Sequence, residues 1–66
     1  MRSLFCETKD KFFVLNEDIV GWYLIVYKDK TKSVSIEDHL LDSYEDAIDF
    51  AKEDFNISKT DWKEES

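Results

Sequence analysis

Sixty-six residues with nine lysine or arginine side chains against sixteen aspartates and glutamates, a net charge of −7, make one small acidic domain spanning residues 1–66. A chain this short buries only about 60% of its unfolded surface, so its core must be dense; Phe5, Phe12, Phe13, Trp22, Tyr23, Tyr27, Tyr44, Phe50, Phe55 and Trp62 can each bury roughly 150–250 Å². No proline, a single glycine (Gly21) and a single cysteine (Cys6) argue against a disordered chain, an internal disulfide and a multi-cysteine metal site.

In chain order, Leu4-Phe5-Cys6 reads as a short first strand or lead-in. Lys11 to Leu15 (KFFVL) is β-prone and runs into Asn16-Glu17-Asp18, a turn-forming patch. Ile19 to Tyr27 (IVGWYLIVY) is the strongest strand signal, β-branched and aromatic throughout, with Gly21 inside it marking a bulge or a close backbone contact. Lys28-Asp29-Lys30-Thr31-Lys32 reads as a polar hairpin loop, and Ser33-Val34-Ser35-Ile36 alternates with the period of a half-buried strand that ends near His39. Connections this short imply antiparallel pairing, because parallel strands need a long crossover.

The helix signal runs from Tyr44 to Phe55. Ser43 is placed as N-cap with Asp46 three residues on. Tyr44, Ala47, Ile48, Ala51 and Phe55 make one stripe with helical spacing, with Phe50 at its flank. Asn56 suits the left-handed position after the last turn. Ile57 and Trp62 are expected to fold back, with a short turn near Thr60-Asp61. The expected fold is therefore α+β: a small antiparallel meander of three to four strands, one C-terminal acidic helix on one face, and a short Trp-containing tail.

Charge is divided unevenly along the chain. Residues 1–35 hold six cations against five anions, a net +1, whereas residues 36–66 hold three against eleven, a net −8. Glu45, Asp49 and Glu53 recur at i, i+4 and i+8 with Asp46 beside them, and each like-charge pair costs an isolated helix roughly 0.2–0.5 kcal/mol. Two readings are open: a solvated face that keeps the protein soluble, or a surface shaped for a positively charged partner. In the strand before it, Trp22, Leu24 and Val26 point one way and Tyr23, Ile25 and Tyr27 the other. One helix covers one face, so the second set is either an interface or is covered by the N-terminal segment or the Trp62 tail.

Motifs for catalysis are sparse. His39 is the only histidine, and there is no glycine-rich phosphate loop. A Cys6–His39 thiol–imidazole pair requires their strands to meet. Glu37, Asp38, His39 and Asp42 lack the second histidine of a zinc site and the Asp/Asn/Gly pattern of a calcium loop. The chain is accordingly read as a non-enzyme with no cofactor and no bound metal. Net negative charge disfavours direct nucleic-acid binding, although the lysines of the 28–32 loop beside Tyr23 and Tyr27 form a local basic-aromatic patch. No stretch approaches a membrane span, the N-terminus lacks the apolar run of a signal peptide, and a lone cysteine in so small a domain points to the cytoplasm.

The leading expectation is a bacterial or phage-type inhibitor or immunity protein. It would bind a basic partner, such as a nuclease toxin, through Asp42, Glu45, Asp46, Asp49 and Glu53, with Tyr23 and Tyr27 as anchors. The alternative is a homo-oligomeric structural module in which the aromatic sheet face pairs two copies.

Overall fold

A computed structural model describes residues 1–65. It is an α+β fold: an open sheet of five antiparallel strands with one α-helix. The strands are β1 (Ser3–Glu7), β2 (Phe12–Asp18), β3 (Gly21–Tyr27), β4 (Ser35–Leu41) and β5 (Lys63–Glu64), and their order across the sheet is β4-β3-β2-β1-β5. The first four form the meander expected from short connections. The fifth, two residues long and directly following Trp62, returns to the free edge of β1 with Lys63 opposite Phe5 and Glu64 opposite Leu4. Nothing in a two-residue strand carries a periodicity, so the expected count of three to four strands falls short.

Strand boundaries also move. Asn16-Glu17-Asp18 is not a turn: these residues continue β2 and pair with Tyr23, Trp22 and Gly21. The reversal is made by Ile19 and Val20, which project into solvent. Two-residue hairpins usually require positive φ within the turn. Here neither turn residue has it, and the unusual backbone falls on the next residue, Gly21, at φ +154°. A Cβ at Gly21 would overlap the carbonyl oxygen of Leu41 on the neighbouring strand, so only glycine lets β3 and β4 approach at this corner. β4 begins two residues later than the Ser33–Ile36 alternation suggests and extends to Leu41, which puts His39 inside the strand. A register shift lies between Val26 and Tyr27, where Glu37 and Ser35 are their partners and Ile36 is the extra residue.

The helix, α1, spans Tyr44–Phe55. The Ser43 hydroxyl accepts the Asp46 N–H at 3.1 Å, and Asn56 adopts φ +58° after the last turn, its N–H donating to the Lys52 carbonyl at 3.0 Å. Ala47, Ile48 and Ala51 are buried, and Tyr44, Phe50 and Phe55 pack at the margin. The small alanines bring the helix close to the sheet. Beneath it lie Leu4, Cys6, Phe13, Leu15, Trp22, Leu24 and Val26, with Ile57 and Trp62 completing the core. Leu15, Leu24 and Val26 are wholly inaccessible. A single 3₁₀ turn, Lys59–Asp61, is held by the Asp61 carboxylate accepting the Ser58 N–H at 2.9 Å and sets Trp62 into the core. Trp62 Nε1 is the one buried side-chain nitrogen or oxygen without a hydrogen-bond partner among the described residues.

Candidate interaction surfaces on two faces

The alternation of β-strand side chains and the antiparallel register sort the expected contact residues into two groups that lie on opposite sides of the sheet. On the helix side, Asp42, Glu45, Asp46, Asp49 and Glu53 are all exposed. Among the described residues Arg2 pairs with Glu64 and His39 Nε2 lies beside Glu37, and none of these five carboxylates has a cation within ion-pair distance. Lys59, from the 3₁₀ turn, shares a shallow groove with two of them, Glu45 and Asp49. That groove is lined by Tyr44, Glu45, Ile48, Asp49 and Lys59: carboxylates on its rim and an aromatic and an aliphatic side chain beside them.

Tyr23 and Tyr27 lie on the other face. Their neighbours Trp22, Leu24 and Val26 are in the core under the helix, so Tyr23, Ile25 and Tyr27 point away from it and are half-buried. Register places Asn16 opposite Tyr23, Val14 opposite Ile25 and Phe12 opposite Tyr27, and Phe5 opposite Val14. Neither of the two coverings considered for this face is present. The N-terminal segment is strand β1 within the sheet, and Trp62 is in the core on the helix side. The face is therefore open, with Phe5, Phe12, Val14, Tyr23, Ile25, Tyr27 and Leu40 across it. The Phe5 and Phe12 rings stack at 5.8 Å, and the Lys32 ammonium sits 5.7 Å from the centroid of Phe12. The helix carboxylates and the two tyrosines thus cannot form one continuous contact.

The remaining candidates separate. Cys6 is buried on β1 and His39 lies on β4, three strand spacings away, or about 14 Å. Burial raises the Cys6 thiol pKa, and Asp61 adds to the rise, which keeps the group a neutral thiol. His39 has other company: its Nε2 is 2.9 Å from Glu37 Oε1 and its ring lies 4.6 Å from Phe50 of the helix. Asp38, between Glu37 and His39, points to the opposite face. Strand alternation thus breaks up the Glu37-Asp38-His39-Asp42 group, and no set of three or more His, Cys, Asp or Glu side chains able to hold a metal forms among the described residues.

Arg2 was not singled out by sequence reasoning, yet it organises the junction of both termini with the helix. Its guanidinium donates from Nε and Nη2 to the Glu64 carboxylate at 3.0 and 3.1 Å. It also lies 5.2 Å from the Tyr44 ring centroid and 5.8 Å from that of Trp22, rings that pack on each other at 5.1 Å. The hydrogen bond from Arg2 lowers the Glu64 pKa, and that of Arg2 rises in turn. An isolated arginine at a chain start has no local pattern that signals such a contact.

No protein family, curated protein or solved structure matches this chain. No helix is long and apolar enough to cross a membrane among the described residues.

Proposed function

We propose that the protein is a binding module whose anionic helix engages a basic protein partner, in the manner of an inhibitor or immunity protein acting on a nuclease or another nucleic-acid enzyme. The observation that carries this reading is the ridge of Asp42, Glu45, Asp46, Asp49 and Glu53, none of them in an ion pair among the described residues, beside a groove lined by Tyr44, Ile48 and Lys59. Such a groove suits the stem of a partner's lysine or arginine, whose head would meet Glu45 and Asp49. Long-range attraction to a positive cleft would speed association and select the partner by charge. Tyr44, rather than Tyr23 or Tyr27, is the aromatic anchor available on this face.

The test is affinity capture with the wild-type chain and with the triple variant Glu45→Gln/Asp49→Gln/Glu53→Gln, at low and high salt. A strongly basic partner held by the wild type at low salt, and lost both with the variant and at high salt, is the expected outcome. An unchanged captured set in the variant would remove the basis of the proposal. Removing two like-charge i,i+4 pairs should also make the variant more stable by up to about 1 kcal/mol, so lost binding would not reflect unfolding.

A further inference from the structure

The open sheet face has a self-complementary arrangement of charge. Its central row, read across the strands in register, runs Asp38 on β4, Ile25 on β3, Val14 on β2, Phe5 on β1 and Lys63 on β5. An acid closes one edge, a base closes the other, and three apolar side chains lie between them, with Val14 at the midpoint. Asp38 and Lys63 are both exposed, and neither belongs to an ion pair among the described residues.

We infer that this face is the interface for a second copy of the same chain, stacked face to face about a two-fold axis running along β2. Rotation about that axis exchanges the two edges of the sheet. It lays Asp38 of each copy against Lys63 of the other, Ile25 against Phe5, and Val14 against itself, as an isologous contact requires. A two-fold axis across the strands would instead bring Asp38 onto Asp38 and Lys63 onto Lys63, so the charges select one of the two symmetric stackings. The flanking rows are compatible with this choice. Tyr27 and Glu7 stand on either side of Phe12, and Tyr23 and Ser3 on either side of Asn16, so each tyrosine would face a polar group of the other copy. Lys32, over Phe12, has Glu7 of the second copy in the same row.

The size of the face sets the strength. β2, β3 and β4 run about 23 Å, β1 about 17 Å and β5 about 7 Å at a spacing of about 4.8 Å, so the face presents roughly 450 Å² in projection, at or below the lower end of stable interfaces. So small a contact makes a weak, concentration-dependent dimer. The interface lies on the side of the sheet away from the helix, and the inference is independent of the proposed partner of α1.

Sedimentation equilibrium over a concentration series tests it through charge exchange. The wild type should dimerise. Asp38→Lys alone and Lys63→Asp alone should each weaken dimerisation at least about tenfold, because each creates two like-charge pairs. An equimolar mixture of the two variants should recover a heterodimer, in which both pairs are restored, and Asp38→Lys/Lys63→Asp in one chain should recover the homodimer. Circular dichroism confirms folding of each variant, since both positions lie exposed on edge strands. The helix variant Glu45→Gln/Asp49→Gln/Glu53→Gln should dimerise like the wild type. The inference is overturned by a wild type that stays monomeric to about 1 mM, which would leave the face to a different protein. It is equally overturned by single variants that dimerise unchanged, or by a mixture that does not recover association.

Discussion

The two faces of the sheet draw on the same stock of large apolar side chains and bury them in different ways. On the helix side, Leu15, Leu24 and Val26 are removed from water by a second layer: α1, Ile57 and Trp62. On the other side no element lies over Phe12 and Val14, yet they remain only 8% and 4% exposed. There the cover is lateral. Phe5 stacks on Phe12, the Lys32 ammonium lies over the Phe12 ring, and Ile25 and Phe5 flank Val14 in register. Burial by a layer makes a core. Burial by row neighbours leaves a face with no second layer over it, on which the half-buried Phe5, Tyr23, Ile25 and Tyr27 still meet water, which is what an interface needs before its partner arrives.

Adjacent positions on β3 give the largest expected contrast. Leu24→Ala empties a site closed on every side and should cost about 2–5 kcal/mol, a large fraction of the stability of so small a domain. Ile25→Ala, one residue on and facing out, should cost under about 1.5 kcal/mol when urea denaturation is followed at low protein concentration. Equal losses would mean that the open face is covered in the isolated chain. Next in size is Gly21→Ala, which places a methyl against the Leu41 carbonyl at a backbone angle unsuited to side chains; a loss above about 1 kcal/mol is expected, together with exchange of the Trp22 and Leu41 amides. Ser43→Ala should lower the unfolding free energy by about 1 kcal/mol through loss of the helix cap, leaving dimerisation intact. The smallest effect belongs to Glu64. Its pKa is lowered in the folded chain, so the contribution of the Arg2 contact is present above the ordinary glutamate range and fades as pH falls through the folded value. Glu64→Gln should flatten the acid limb of a stability–pH curve and leave the neutral range nearly unchanged. A steeper acid limb would contradict the assigned pairing.

The helix could be read from the sequence because its signals are local. A cap, a stripe of helical spacing and an asparagine stop all lie within fourteen residues, and the helix occupies Tyr44–Phe55. The hairpin before β3 could not, because its rules conflict. Asn16-Glu17-Asp18 has the composition of a turn, whereas Ile19-Val20 has that of a strand, and pairing across the sheet overrode both preferences. The acidic ridge was apparent as charge, and its exposure followed from the stripe behind it. That Tyr23 and Tyr27 stand apart from the ridge follows from alternation once the covered face is known. The opposition of Asp38 and Lys63 had no local signature: it depends on β5, a strand of two residues whose partners, Leu4 and Phe5, lie at the other end of the sequence.

That last pairing also bears on how the chain comes to be folded as it is made. β1 is synthesised first, but its outer edge has no neighbour until Lys63 and Glu64 exist, a delay of about 3–12 s at ordinary rates of translation. Throughout that interval the backbone groups of Ser3–Glu7 along that edge are free to pair with any passing strand. In the finished fold the same short segment closes that edge, seats Trp62 and brings Glu64 to Arg2. A chain cut before Trp62 would lack β5 and leave the outer edge of β1 unpaired, so these closing residues guard against stray strand pairing as well as completing the sheet.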